Sequence, residues 1–469
     1  MTNKVDNKVA LKSGIWYVVG DILFRAIGFL TMPIFTRVLS KDEFGEFNNL
    51  TSWGVILFFI ISLDLHSTIV RSKLDYADDL ASYSTSILFL STIINMIVYL
   101  IFKSNAPFFS DLLSIQEKFF NILFLYLLFL EAYYIYVTYE RANYRYKKYT
   151  LATGLVIILV NLLSIALVFI MENKLDGRVI GFHLPYILVG AIMYLLIVKR
   201  SRKLKMEYVK YALSISLPLL PHLISLNILS SSDKVMIMKM IGKSANATYS
   251  VAYMVSNILI IIYNAMNKAW APWFMDTMKS GKRKPIKDIS RYYFLVFLAI
   301  IVGTGLMGPE IILVLGGRKY VDAIYVLIPL LISVLFQFVY SMFIQIEIFE
   351  KQMKIISFAT VTAAVLNLGL NFVFIPIYGY VAAGYTTLVG YGVAMILHLI
   401  TVLKLGYKDL LDFKTIGLGI LLSLSLIPLL IFFYKFHLIR IIVASLYILV
   451  FILILFKYRK NIITFLKKE

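Results

Sequence analysis

The chain has 469 residues, of which 60% are hydrophobic and 15% are charged, and its net charge is +20. Soluble domains are about 45–50% apolar and about 25% charged, so the composition predicts an integral membrane protein. The sequence has no cysteine, which excludes disulfides, thiolate catalysis and cysteine-ligated metals. The five histidines lie far apart without paired ligand spacing, and we therefore expect no metal site.

Fourteen apolar segments are each long enough to cross a bilayer as a helix, which takes roughly 20 residues. Continuous runs of this length predict helices rather than the alternating strands of a barrel. The first run is too long for the h-region of a signal peptide, so we expect it to be retained as a span. The predicted limits are 14–36, 45–66, 82–102, 119–139, 150–171, 179–198, 211–232, 247–275, 292–314, 322–348, 355–376, 380–403, 415–434 and 438–456.

Lysine and arginine are unevenly distributed between alternate connections. With the N-terminus inside, the inner connections hold 31 of these residues and the outer connections hold 13. The positive-inside rule therefore predicts that both termini are cytoplasmic. The same bias explains most of the net charge as topology signals and contacts with anionic lipid headgroups, so nucleic acid is not an expected partner.

Two pairs of short segments repeat at similar offsets. "RVLSKDEFGEF" (37–47) aligns with "KMIGKSANATY" (239–249) at an offset of 202, and "NLLSIALVF" (161–169) aligns with "NLGLNFVFI" (367–375) at an offset of 206. Such repeats are common in transporters, and six intervening spans give both copies the same orientation. The predicted division is an N-lobe of six helices (1–200), a C-lobe of six helices (201–405) and two extra helices (406–469).

Four stretches in both halves of the chain carry a resemblance to a known family. They are "FLTMPIFTRVLSKDEFGEF" (29–47), "LPLLPHLISLNILSSSDKVMI" (217–237) with "YSVAYMVSNILIIIYNAMNKAWAPWF" (249–274), "MGPEIILVLGGRKYVDA" (307–323) and "NLGLNFVFIPIYGYVAAGYTT" (367–387). In these stretches the chain resembles Wzx-type flippases of polysaccharide or oligosaccharide lipids, within the multidrug/oligosaccharidyl-lipid/polysaccharide exporter superfamily. The resemblance implies an all-α, V-shaped bundle of two six-helix lobes plus two C-terminal helices, alternately open to each side of a bacterial cytoplasmic membrane.

The resemblance also implies a cargo and partners. The cargo would be an oligosaccharide repeat unit on undecaprenyl or another polyprenyl diphosphate, moved to the outer leaflet for O-antigen, capsule or exopolysaccharide. Membrane lipids, a polysaccharide polymerase and chain-length machinery are the implied partners. A lipid II flippase and a multidrug exporter of the same superfamily stay open, and a membrane glycosyltransferase or polymerase is a more remote alternative.

No enzymatic activity and no cofactor are expected. "GKS" at 242–244 is similar to the end of a phosphate-binding loop, but Ile237 stands where that loop needs its first glycine. The sequence thus predicts no ATP site. The energy for transport would come from an H+ or Na+ gradient or from downstream consumption of the cargo.

A diphosphate cargo requires a hydrated, cationic lumen, and ionisable residues within spans rarely face lipid. Asp21 and Arg25 lie four residues apart near the middle of the first span, so they share a helix face and can pair. Arg25 could therefore contact the diphosphate and be restrained by Asp21 in the empty state. A static buried pair between packed helices is the alternative.

Asn257, Asn264 and Lys268 form a polar stripe at helical spacing in the eighth span. The stripe predicts a second cationic and polar part of the lumen. Alternatively, Lys268 lies near enough to the helix end to extend its ammonium group to the membrane surface. Trp270 and Trp273 favour this alternative if they are interfacial anchors.

Other polar residues and prolines within spans complete the candidate site. Gln337 with Ser341, and Asn367 with Asn371, lie four residues apart and either bind sugars or join helices by hydrogen bonds. His222 is a further candidate for the substrate site. The candidates for gating or ion coupling are Pro218, Pro221, Asp64, Glu131, Asp233, Lys234 and Arg37. Glu310 and Glu347 are further acidic candidates for ion coupling.

Overall fold

The computed structural model describes residues 20, 27–281 and 283–467, and their side chains except those of 269 and 454–467. All regular elements in this part of the chain are helical, which confirms the predicted all-α class. The helices are α1 (Ile27–Val38), α2 (Lys41–Ser62), α3 (Ile69–Asp75), α4 (Leu80–Ser104), α5 (Ala106–Leu113), α6 (Phe120–Ala142), α7 (Tyr146–Ile170), α8 (Lys174–Arg200), α9 (Met206–Met240), α10 (Lys243–Lys279), α11 (Arg283–Leu306), α12 (Gly308–Leu315), α13 (Ile324–Phe349), α14 (Met353–Tyr378), α15 (Tyr380–Lys404), α16 (Phe413–Phe433) and α17 (His437–Lys467).

Twelve helices in the described residues are long and apolar enough to cross a membrane. They coincide with the second to the thirteenth predicted span, while α1 and α17 overlap the first and the last. The total of fourteen stays a prediction. The end of one predicted span was wrong: α11 ends at Leu306, and the last residues of 292–314 lie in the short helix α12, which has Pro309 in its first turn.

Local signals in the sequence explain where several helices begin and end. Ser40 caps α2, because its hydroxyl accepts from the backbone N–H of Glu43 and the Glu43 carboxylate accepts from the Ser40 N–H. Asn173 caps α8 in a related way through the N–H of Asp176. α12 starts with a proline in its first turn, where no intrahelical N–H is needed.

The chain forms two compact units. Unit 1 comprises the residues up to Ser250 together with Leu368–Tyr380, and unit 2 comprises Val251–Asn367 and Val381–Glu469. The predicted lobe boundaries stay a prediction beside this division.

In unit 1, α8 packs closely against α7 and α6 because glycines remove the side chains at the contacts. A Cβ at Gly181 would lie 2.4 Å from the Cα of Ser164, and a Cβ at Gly177 would lie 2.5 Å from the Leu167 carbonyl oxygen. Small residues at helix interfaces are a general means of close packing in membranes. The apolar core around them extends through α2, α4 and α6.

In unit 2, α13 is the central helix and is enclosed along most of its length. Arg440 of α17 is buried and forms a two-pronged salt bridge with Glu310 of α12, with both N···O distances 2.5 Å. Burial raises the pKa of Glu310, but hydrogen bonds and charge from Arg440 outweigh burial and leave that pKa below its usual value. The pair fastens α17 to the rest of unit 2, as a static structural contact.

Helix positions recur between the halves of the chain. α2 and α10 begin at Lys41 and Lys243, which is the offset of 202 found in the sequence. α6 and α13 each end in a turn with one non-glycine residue at positive φ, Tyr144 at 55° and Lys351 at 58°. These correspondences allow the same position to be compared in the two units.

Candidate functional site

The exposed side chains of α10 before its last residue, Lys279, form a single stripe within unit 2, and Lys279 is exposed as well. Among the described side chains of 251–278, the exposed ones are Asn264, Lys268, Pro272 and Asp276, each four residues after the previous one. Asn257, the first residue of the predicted stripe, is half-buried. Lys268 lies eleven residues before the last residue of α10, which is about 16 Å along the helix.

Exposed faces elsewhere in unit 2 have a different composition. On α16 the exposed residues include Leu418, Leu421 and Leu422, with 59%, 65% and 53% of their surface accessible. Such apolar faces are suited to lipid, whereas polar and charged residues within spans generally face water-filled space or protein. The α10 stripe therefore differs from the exposed face of α16, since it carries an amide, a lysine and a carboxylate besides Pro272.

The opposite side of α10 packs into unit 2. Asn267 donates to the Ser341 hydroxyl at 2.9 Å and accepts from the Tyr293 hydroxyl at 2.9 Å. Trp270 is buried and stacks on Tyr293 with ring centroids 4.8 Å apart. Trp270 is thus a core residue, and the interpretation of it as an interfacial anchor was wrong. Trp270 therefore gives no reason to place Lys268 at a membrane surface, and Trp273, the other tryptophan in that prediction, is half-buried.

A cluster of two carboxylates and a histidine lies in unit 1, where α2 ends. His66 Nδ1 lies 3.1 Å from Oε2 of Glu131 on α6, and His66 Nε2 lies 3.5 Å from Oδ1 of Asp64. Glu131 is fully buried, and its other oxygen, Oε1, has no hydrogen-bond partner. The Tyr134 ring stacks on His66 at 4.9 Å. The structure therefore joins two predicted coupling residues, Asp64 and Glu131, through a histidine.

The backbone at this cluster is unusual. Leu63 and Asp64 both adopt the left-handed region, with φ of 48° and 54°, and α2 stops there before a short 3-10 turn. Non-glycine residues in this region cost free energy and are often found at functional sites. The Ser67 hydroxyl donates to the Asp64 carboxylate at 2.6 Å and fixes its orientation.

The cluster also raises the pKa of His66. Burial lowers the pKa of His66, and Arg141 lowers it further, but Glu131 and Asp64 together outweigh them. The pKa of His66 consequently lies above the ordinary value of 6.5. Glu131 and Asp64 thus favour the protonated form of His66.

Several predicted residues have other surroundings. Asp21 and Arg25 lie outside the described residues. Gln337 is buried in α13, and Asn367 is buried beside the Thr387 hydroxyl at 3.4 Å, so both face the interior of unit 2. Ser341 bonds to Asn267, as described above.

Asp233 is buried in unit 1 and holds two elements together. Its carboxylate accepts from the side-chain amide of Asn371 at 2.6 Å and from the hydroxyl of Tyr249. Asn367 and Asn371 thus have different partners. Four of the remaining candidates lie on α9. Lys234 and His222 are half-buried there, and Pro218 and Pro221 are exposed although the helix is continuous. Arg37 is exposed at the end of α1.

Two further acidic candidates have fixed partners. Glu347 lies 2.8 Å from Nδ1 of His398, and both side chains are buried in unit 2. Glu310 is paired with Arg440. Two functional candidates, His66 and Arg178, were not recognised from the sequence. His66 was missed because its partner is 65 residues away on another helix. Arg178 was missed because the sequence placed it in a connection, whereas it lies in α8. A histidine two residues after a span-end aspartate was the available signal for the first.

These polar features of a multi-pass helical membrane protein can be set against known proteins. The profile of the family described as "Polysaccharide biosynthesis protein" matches residues 10–278, more than half of the chain. The chain belongs to that family. The resemblance to polysaccharide flippases noted in the sequence is therefore confirmed at the level of the family.

Relatives and solved structures agree with this assignment. A protein of the Lsg locus of Haemophilus influenzae is 22% identical over 370 residues, which is 76% of this chain and 88% of the relative. The fold is similar to that of the lipid II flippase MurJ in its inward closed conformation, with a TM-score of 0.69, 16% identity and coverage of 94% and 100% of the two chains. An inward-facing multidrug-resistance transporter of the MATE family has a TM-score of 0.60 at 15% identity, over 81% and 95%. The chain thus has the fold of flippases and transporters.

Proposed function

We propose that the protein is a flippase that moves an oligosaccharide repeat unit, linked to undecaprenyl or another polyprenyl diphosphate, from the cytoplasmic to the outer leaflet by alternating access. It would act in a bacterial cytoplasmic membrane with both termini inside, in O-antigen, capsule or exopolysaccharide synthesis. Its partners would be a polymerase and chain-length machinery. The observation that carries the proposal is the exposed polar stripe on α10, with Lys268 at its centre, in a member of the polysaccharide family.

The chemistry of this cargo supports the proposal. The diphosphate and the sugars must leave water, whereas the polyprenyl tail can remain in lipid. Lys268 places a basic side chain on the exposed face of an apolar helix, at a depth where electrostatic attraction is weakly screened. Asn264 adds hydrogen bonds for sugar hydroxyls, and Arg25 with Asp21 is retained as a second cationic part of the proposed lumen.

Energy coupling through the Asp64–His66–Glu131 cluster is part of the proposal. The three groups share at most a few protons, and the unpartnered Oε1 of Glu131 can accept one. Binding and release of H+ there would change the charge of a buried site and thereby bias two conformations of unit 1. Na+ is the alternative coupling ion, and it would bind to the same carboxylates.

Reconstitution into vesicles tests the function. Purified protein should expose a polyprenyl-diphosphate oligosaccharide in the opposite leaflet, and Lys268→Ala should slow this about tenfold to a hundredfold, since one charge-assisted contact is lost. Lys279→Ala, which removes an exposed lysine from the end of the same helix, is the matched control and should retain the wild-type rate. Equal rates for both variants would contradict the role of Lys268.

Transport of lipid II is a second candidate, because the fold match to a lipid II flippase extends over 94% of this chain. The same vesicles distinguish the two candidates when they are loaded with either lipid. Faster movement of lipid II than of the oligosaccharide lipid would favour this alternative. A multidrug exporter would instead move cationic dyes, and a glycosyltransferase or polymerase would change the length of the sugar chain.

A further inference from the structure

Arg178 in the second turn of α8 has buried hydrogen-bond donors that meet no acceptor. Its Nε and Nη1 atoms are enclosed, and neither has an acceptor. Buried N–H donors in native proteins are almost always paired, so an unpaired arginine requires an explanation.

Aromatic rings surround the guanidinium group of Arg178. Its central carbon lies 3.7 Å from the ring centroid of Phe35 on α1, 4.4 Å from that of Phe47 on α2 and 5.8 Å from that of Phe182 on α8. Cation–π attraction of this kind offsets part of the cost of removing the charge from water. It does not satisfy N–H donors, which point along the plane of the guanidinium group.

The acidic groups in this region are engaged elsewhere. Asp176, two residues before Arg178, accepts from Lys118 at 2.5 Å, and Glu46, next to Phe47, accepts from Lys243 at 2.8 Å. No carboxylate among the described residues lies within salt-bridge distance of Arg178. Neither of these two carboxylates therefore pairs with the guanidinium group of Arg178.

We propose that Arg178 is an anion site for a phosphate group, covered in this conformation by the rings of Phe35 and Phe47. Arginine is suited to this ligand, because its planar fork matches two phosphate oxygens at once. The phosphate belongs either to the diphosphate of the cargo or to the headgroup of a membrane phospholipid. The first source rests on the proposed function, and the second does not.

Removal of the cover should strengthen binding. A site that is open for only part of the time has its apparent affinity reduced by that fraction. Phe35→Leu takes away the ring closest to Arg178 and leaves the cation in place. This variant should bind phosphate ligands more tightly than the wild type, a gain that a purely structural arginine would not produce.

The test uses the full-length protein in a phosphate-free detergent, with farnesyl diphosphate as a soluble polyprenyl diphosphate and phosphatidylglycerol as the phospholipid. Arg178→Gln should weaken binding of farnesyl diphosphate about tenfold or more, Arg178→Lys should weaken it less, and Phe35→Leu should strengthen it. Arg71→Gln, which removes an exposed arginine from the same unit, is the control and should bind like the wild type. If Arg178→Gln fails to fold, Arg178→Lys and Phe35→Leu still carry the comparison.

The outcomes separate the two sources and the two proposals. Loss of phosphatidylglycerol from Arg178→Gln in native mass spectrometry, with farnesyl diphosphate binding unchanged, would support the site and assign it to a phospholipid. Unchanged binding of both ligands in the Arg178 and Phe35 variants would overturn the site, even if the wild type transports the oligosaccharide lipid. Binding through Arg178 without such transport would support the site and overturn the proposed function.

Discussion

A basic side chain follows the start of α2 and of α10 at the same distance, but its surroundings differ. His66 and Lys268 each lie 25 residues after the first residue of their helix, Lys41 and Lys243. α2 ends at Ser62 and the following turn directs His66 onto the buried Glu131. α10 continues to Lys279 without a break and leaves Lys268 exposed on a polar face.

This difference indicates how two related helices can serve two purposes. A histidine held between carboxylates can take up and release a proton, because the partners stabilise its charged form. Lys268 instead lies on the exposed face of a continuous helix. The break in α2 is thus what separates a histidine held between two carboxylates from a lysine on the exposed face of a continuous helix.

Replacement of Glu131 by glutamine should give the largest of the expected effects, because it changes the buried partner of His66 and leaves Lys268 in place. Glutamine keeps the shape of the side chain and a hydrogen bond to His66, but it cannot be protonated. We expect stimulation of transport by a pH gradient to fall about tenfold or more, while gradient-free movement of the cargo remains. Vesicles with and without an imposed pH gradient provide the measurement.

The buried pair in unit 2 is the matched control for Glu131. Glu347→Gln alters the contact of 2.8 Å between Glu347 and His398, and both side chains are closed to solvent. Unlike His66, His398 forms an ion pair with one carboxylate among the described residues. This variant should lower thermal stability but preserve the ratio of rates with and without the gradient. Loss of the gradient response in Glu347→Gln, or its persistence in Glu131→Gln, would reverse the roles assigned to the two pairs.

The second prediction concerns the pH dependence of stability. The pKa of His66 is raised in the folded state, so its interactions stabilise the fold fully below about pH 6.5 and lose this effect as the pH rises through the raised pKa. His66→Asn should therefore be less stable than the wild type by roughly 1 kcal/mol at about pH 6, and the gap should narrow at about pH 9. Thermal unfolding in detergent at the two pH values measures it.

A gap between the wild type and His66→Asn that is constant with pH would mean that His66 is not protonated in the folded protein. Glu131→Gln supplies a control here too, since it removes the main partner of the charged histidine. In that background the His66→Asn gap should depend less on pH.

The sequence predicted the helices well because hydropathy and length decide them locally. It also predicted the exposed stripe at Asn264 and Lys268, because helical spacing alone places the two residues on one face. The site residues that depend on tertiary packing were harder to predict. The buried stack of Trp270 on Tyr293 joins two helices, and a tryptophan near a basic residue has the same local pattern at a membrane surface.

The contact between His66 and Glu131 shows the same limit more clearly. It depends on two consecutive residues in the left-handed region, Leu63 and Asp64, and leucine has little local preference for that conformation. An apolar run gives no sign that its helix stops there. Arg178 was missed for a related reason, since its position in α8 follows from the cap at Asn173.

The smallest expected effect concerns the end of α2 at Leu63. The stabilities of glycine and alanine variants are compared there and at the corresponding position in α10. Leu63 has φ of 48°, and Ala265, 202 residues later, lies inside α10. At position 63 glycine should be more stable than alanine by about 1 kcal/mol, because only glycine adopts the left-handed region without strain. At position 265 the order should reverse by about 1 kcal/mol, because glycine weakens a helix interior.

Thermal unfolding of Leu63→Gly, Leu63→Ala and Ala265→Gly beside the wild type gives both differences. The comparison of glycine with alanine at position 63 cancels most of the loss of the half-buried leucine side chain, which both variants share. Opposite signs at the two positions would support the break in α2. If alanine were the more stable residue at both, α2 would continue as a helix like α10, and the contact between His66 and Glu131, which requires the turn at Leu63 and Asp64, would not form.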